Sequence, residues 1–254
     1  MRRATSGTNP GQSYIDIAKS RTLDGVIILG AYPSDDEAEY KKYKIPAVLV
    51  DCYGSSDSFF YSVRTDDRLG GYLATKYLIE QGHRRIAIVT GELKAHGVNS
   101  ERYLGYLDAL REAGLTPSQD DVFEGLVGYD HGLEVAKTLA RTRRDLTALF
   151  ATADITAIGL INGLHEAGLR VPEDVSVIGF DDVEYAKMCY PGLTTIRQNI
   201  MEKGRQSARL MIEAVQDHSL PRAEWIIPME LIERGTVKRV DGNQAYAQRP
   251  VSAF

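Results

Sequence analysis

Cysteine is scarce in this sequence. Of 254 residues only Cys52 and Cys189 are cysteines, too few for a disulfide scaffold and without the spacing of a metal site. Excess positive charge is missing too. Lys and Arg total 30 against 35 Asp and Glu, a net charge of −5, so these residues carry no electrostatic footprint for nucleic acid. No apolar run is long enough to span a bilayer. The positive start Met1-Arg2-Arg3 is followed by polar residues instead of the apolar stretch of a secretory leader, and the expected location is the cytoplasm.

Signatures of catalysis are absent as well. There is no glycine-rich dinucleotide or phosphate loop, no nucleophile elbow and no HExxH pair. The five histidines, His83, His96, His131, His165 and His218, are scattered, and His83 beside Gly82 suits a helix end. No enzyme, no metal and no cofactor is expected.

What the sequence does have is alternation. Apolar runs of strand length occur at 25–29, 47–50, 85–90, 148–151 and 175–179, with a shorter one near Val122. Between them lie amphipathic stretches of helix length at 10–20, 35–42, 67–81, 100–113, 130–140, 154–167 and 201–215. This is the pattern of a parallel α/β sheet. Gly82, Gly114 and Gly168 follow three of the helices and suit left-handed stops, and Asp130 is of N-cap type. The runs at 25–29 and 47–50 are apolar throughout, as expected for strands covered on both faces. Residues 225–227 and 230–233, parted by Pro228, read as closing strands. No flexible linker divides the chain, so two doubly wound lobes must exchange through short crossings, for which 63–66 and 194–198 are candidates. The expected division is 1–65 with about 199–225 in one lobe and 66–198 with about 226–240 in the other, leaving a tail at 241–254.

In open α/β sheets ligands bind beyond the carboxyl ends of the strands. Asp51, Asp154 and Asp181 all fall there. Asp154 also starts a helix and reads chiefly as a structural cap, and Asp181-Asp182 equally suits a turn. Arg102 lies in the first turn of a helix, where its charge adds to the positive helix end unless an anionic or oxygen-rich group is near. Its planar fork of donors suits vicinal hydroxyls or a carboxylate. Ligand contact, or pairing with Glu101 or Asp181, would each account for it.

Several strings resemble the LacI/GalR family of bacterial transcription regulators. They are the segment GLRVPEDVSVIGFDD ending at Asp182, PGLTTIRQ ending at Gln198, YLIEQGH ending at His83, LDGVII ending at Ile28, and LIERGT ending at Thr236. They occur in the family's order and spacing, from about Asp16 to Arg239. The resemblance implies a fold like that of periplasmic binding proteins of type I, with a small-molecule effector held in the cleft between two lobes. It further implies homodimerisation, and contact with operator DNA only through a head that would precede Ala4. The first βα unit would also precede Ala4, so the amino-terminal lobe is expected to be incomplete, with about three strands against five or six.

Carried over residue by residue, Arg102 matches the family's effector-binding arginine and Asp181 its partner carboxylate. Asp51 and Cys52 match a cleft aspartate and its variable neighbour. Asp66 matches a crossover aspartate, and Gln198 a residue near the cleft. Val127 stands where an aromatic often stacks, and Ala153 where some sugar-responsive members place Asn. The expected function is effector recognition in a repressor, the effector a sugar, with a purine as the lesser alternative. A sugar-binding protein of a transport system is the rival reading. Substituting Arg102 or Asp181 by Ala is expected to abolish binding and leave the fold intact.

Overall fold

In the computed structural model, which describes residues 14–30, 37–53, 59–93, 97–143 and 145–240, the strand β2 (Ala47–Val50) is buried at all four positions. Its side chains alternate in direction. Ala47 and Leu49 enter an apolar cluster with Ile15 and Tyr40, while Val48 and Val50 enter another with Leu210 and Ala214. The first cluster draws on the helices α1 (Tyr14–Ser20) and α2 (Glu37–Tyr43). The sheet around β2 is wholly parallel. Its neighbours are β1 (Val26–Leu29) and β3 (Tyr61–Arg64).

Strand β1 is less covered than its unbroken apolar run implies. Among the described residues it pairs with β2 alone and forms an edge, and Leu29 is 73% exposed. Strand β3 is not visible as an apolar run, because in YSVR only Tyr61 and Val63 face the core. Residues 10–13 and 35–36 of the expected helices, and the tail 241–254, lie outside the described residues.

The second sheet is built around β4 (Ile86–Gly91), again buried throughout. Ile86 and Ile88 join the cluster that includes Leu78, Tyr106 and Phe150; Ala87 and Val89 join the one that includes Leu139, Leu160 and Leu164. The first cluster draws on α3 (Asp67–Glu80) and α4 (Val98–Glu112), the second on α5 (Tyr129–Thr142) and α6 (Asp154–Glu166). Helices on both faces make the sheet doubly wound. With β5 (Val122–Gly125), β6 (Ala148–Ala151), β7 (Ser176–Asp181) and β8 (Thr194–Gln198), the parallel strands run β8-β7-β6-β4-β5. Gly82, Gly114 and Gly168 follow α3, α4 and α6 with φ of +92°, +69° and +77°, the left-handed conformation that ends a helix. Helix α5 starts one residue earlier than expected, with Gly128 as N-cap and Asp130 in the first turn.

Residues 194–198, taken as a crossing, form a full strand, and the chain changes unit only after Gln198. It then forms α7 (Ile200–Gln216) and β9 (Glu224–Ile226), which adds to β3 in parallel. Among the described residues the first sheet thus has four strands, β1-β2-β3-β9, where about three were expected. Sequence reading ends this returning segment near 225. The ladder carries it to Ile227, whose N–H donates to Arg64 O at 2.8 Å. Strand β10 (Met229–Ile232) then closes the second sheet, antiparallel to β8. One unit comprises residues up to Thr65 with Asn199–Ile227, the other Asp66–Gln198 with the chain from Pro228. Among the described residues no helix is long and apolar enough to cross a membrane.

Candidate functional site

Helices α3 and α4 meet backbone to backbone. A Cβ added at Gly71 would lie 2.0 Å from the Arg102 carbonyl oxygen, and one at Gly105 would lie 1.9 Å from that of Arg68. Only glycine at both positions permits this approach. The crossing brings Arg102 of α4 against Asp67 of α3. Nε donates to Asp67 Oδ1 at 2.8 Å, and Nη2 stands 2.7 Å from the same oxygen. Nη1 donates to the carbonyl oxygen of Thr152, just past β6, at 2.6 Å. The guanidinium lies 3.7 Å from the ring centroid of Phe180, a favourable cation–π distance. Arg102 is therefore a buried, paired residue, and its removal would take the guanidinium charge and two close contacts from the buried Asp67 carboxylate. The expectation that Arg102→Ala leaves the fold intact is corrected on that ground.

Asp181 ends β7 beside this group. Its Oδ1 is 3.8 Å from Arg102 Nη1 and accepts a hydrogen bond from Gln198 Nε2 at 2.6 Å. Asp181 and Asp182 have φ of +123° and +59°, conformations that cost free energy and persist only when neighbours fix them. Arg197 and Arg234 both donate to Asp182, at 2.7 and 2.6 Å. Burial opposes ionisation of Asp182, yet these hydrogen bonds outweigh it and hold its carboxyl below the usual range. The Asp181 side chain keeps 23% of its surface exposed.

The structure thus brings Arg102, Asp181 and Gln198 together at the carboxyl ends of the strands. Val127, between β5 and α5, lies over Gly91 with Asn99 and is exposed. The buried Thr152 hydroxyl is 3.2 Å from Asn99 Oδ1 and 3.3 Å from Thr90 Oγ1, a polar cluster beneath the strand ends. Ala153 is the N-cap of α6 and nearly buried. Asp154 is not the cap expected of it. It is the first helical residue, fully buried, accepting from the Thr195 hydroxyl at 2.6 Å and from the Val183 N–H at 2.9 Å. Burial, reinforced by Asp181 and Asp182, pushes its carboxyl up to about 7. Asp66 caps α3 through the Leu69 N–H at 3.0 Å.

Asp51 and Cys52 belong to the other unit. Asp51 ends β2 with φ +54° and accepts from the nearly buried Lys203 of α7 at 2.5 Å. Cys52 packs among Ile15, Ile28, Tyr40 and Phe60. Burial, with Asp51 beside it, pushes its thiol up to about 11, so the structure gives it a packing position.

Asp67, Thr152 and Asn99 escaped the sequence reading. For Asp67 a signal existed: residues 67, 70, 71, 74 and 78 are buried at helical spacing, which puts Asp67 on the inward stripe of α3. An open depression of about 520 Å³ lies at the amino ends of β4 and β5, lined by Arg85, Asp121 and Arg143 among others. Its Arg143 is already bonded to Asp121 and Asp145. Among the described residues no three His, Cys, Asp or Glu converge as a metal site.

A family profile of the periplasmic binding protein-like domain matches residues 75–237. The HTH-type transcriptional repressor PurR of Vibrio atlanticus is 34% identical over 233 residues, which are 91% of this chain and 69% of that protein. A LacI family transcriptional regulator from Enterococcus faecium, solved with bound ribose, superposes with a TM-score of 0.80 at 31% identity, covering 90% of this chain and 84% of that one. The lac repressor dimer, solved bound to operator and an anti-inducer, gives 0.77 at 25% identity over 88% and 77%. These relatives regulate transcription and are not enzymes, as expected, which sets aside the transport reading. The chain belongs to the LacI family of transcriptional regulators, of which it carries the periplasmic binding protein-like, effector-binding domain.

Proposed function

We propose that this domain binds a sugar as its effector, through Arg102 and Asp181, in a homodimeric repressor. The observation that carries the reading is the grouping of a guanidinium, a carboxylate and the Gln198 amide at the strand ends. The donors left on the Arg102 fork suit adjacent hydroxyls, and Asp181 supplies the matching acceptor. Phe180 is buried beneath the guanidinium and offers no face for a flat base, while Val127 offers an aliphatic surface. The ribose bound to the Enterococcus relative supports a sugar, and the PurR relatives, which are named repressors, support the regulatory sign.

Those same relatives favour a purine as the second reading. A thermal-shift screen with pentoses, hexoses, disaccharides, hypoxanthine and guanine, followed by calorimetry, separates the two, because a ligand that binds the native state alone raises the melting temperature. A sugar that binds wild type and loses affinity by at least about tenfold in Asp181→Asn is the expected result. Binding of a nucleobase with no response to any sugar would overturn the reading.

A further inference from the structure

Asp154 is a buried carboxylate that the effector contacts do not use. It bridges three segments: its own helix α6, the hydroxyl of Thr195 on β8, and the N–H of Val183 just beyond β7. Room for it comes from Gly179, where an added Cβ would lie 2.3 Å from Asp154 Oδ1. Val183 follows the two residues with positive φ, Asp181 and Asp182. Arg197 and Arg234 hold the middle of that turn through Asp182. The Val183 N–H, bonded to Asp154, holds its far end.

We propose that Asp154 is a positioning residue of the effector site, anchoring the strained turn that presents Asp181. The part that concerns effector rests on the reading above; the anchoring of the turn does not. The charged neighbours are unhelpful to ionisation. Asp181 and Asp182 face it with like charge, the Cys189 thiol lies close by, and the nearby cations Arg197 and Arg234 are engaged by Asp182. Burial is the larger cause and, against the two hydrogen bonds that favour the anion, brings the carboxyl up to about 7. The ionised form accepts from both donors. In the neutral acid the hydroxyl donates to Thr195, and the bond to Val183 loses its charge assistance, about half its strength. The turn is therefore held tightly above neutrality and more loosely below it, and affinity for effector follows in the same sense.

Asp154→Asn mimics the neutral acid at every pH, and Asp154→Ala removes both acceptors. Amide spectra and hydrogen exchange of the ligand-free protein, between about pH 5.5 and 8.5, read the anchoring at Val183 directly. In wild type the Val183 resonance should titrate near neutrality. In Asp154→Asn it should be pH-invariant, with protection at pH 8 lower by about tenfold. A wild-type resonance that does not move, or Val183 protection equal in wild type and Asp154→Asn, overturns the proposal. Should Asp154→Ala fail to fold, the Asn variant carries the test alone. Titration with D-ribose in the same spectra reads the effector part. Affinity should fall by about tenfold from pH 8 to 6 in wild type and stay flat in Asp154→Asn. Equal ribose affinity in both proteins at pH 8 refutes positioning. A wild type blind to ribose rejects the sugar reading instead, and the ligand-free amides still decide the anchoring.

Discussion

Arg102 and Asp67 form a buried ion pair across the α3–α4 contact, with side chains 7% and 0% exposed and a closest approach of 2.7 Å. Such a pair contributes little net stability while intact, because desolvation offsets the attraction; breaking it is another matter. Arg102→Ala should destabilise the second unit by about 3–5 kcal/mol by taking the guanidinium away from the buried Asp67 carboxylate. The double variant Arg102→Met/Asp67→Leu should recover most of that loss and still fail to bind effector. Urea unfolding of the two singles and the double measures the coupling. Additive single effects would show the pair to be uncoupled.

The glycines of the same contact are expected to matter more than most core residues. Gly71→Ala or Gly105→Ala places a methyl about 2 Å from a backbone carbonyl oxygen, so the helices must part and Arg102 must shift. A loss of about 1–3 kcal/mol is expected, together with weaker effector binding. Gly204 is the control. It lies inside α7 with nothing within 4 Å of an added Cβ, so Gly204→Ala should stabilise by about 0.5–1 kcal/mol. Chemical denaturation midpoints decide; a tolerated Gly105→Ala would contradict the close approach.

Stability against pH should show two opposed contributions. His83 is fully buried, bonded to Thr147 and to Lys238 O, and burial lowers its imidazole from 6.5 to about 4. Its folded value is depressed, so its contribution is present above pH 6.5 and lost as pH falls through 4, a change of about 3 kcal/mol. Asp154 is raised from 3.8 to about 7. Its contribution is present below 3.8 and lost as pH rises through 7, a change of roughly 4 kcal/mol. Between pH 4 and 6.5 the two nearly cancel. His83→Gln should therefore give a protein whose stability falls as pH rises across that window, and Asp154→Asn one whose stability rises. Parallel curves for the two variants would refute the assignment.

Much of the fold was legible from local pattern. Continuous apolar runs marked the strands buried on both faces, and three glycines marked the helix ends, because backbone preference and burial act within a few residues. Strand β3 was not legible: its polar positions break the run, and only its place between β2 and β9 explains it. Strand β1 carries an unbroken apolar run, yet Leu29 is exposed, since how deeply each position is covered depends on what packs over it rather than on composition.

The site divides in the same way. That Arg102 belongs to a helix start and Asp181 to a strand end follows from the sequence alone, because those positions are set by the alternation of elements; Gln198 read as part of a crossing, and only the sheet makes it a strand end. What the residues do there was decided by the fold. Asp67 lies 35 positions before Arg102 and Thr195 lies 41 after Asp154. Neither partner is implied by local spacing; each is chosen by where two elements touch. Cys52, adjacent in sequence to a site candidate, turns into the core after the left-handed turn at Asp51 that ends the strand. The sequence determined which groups are available, and tertiary packing determined which of them are buried together, because charge partners and pKa values depend on distances across the fold and not along the chain.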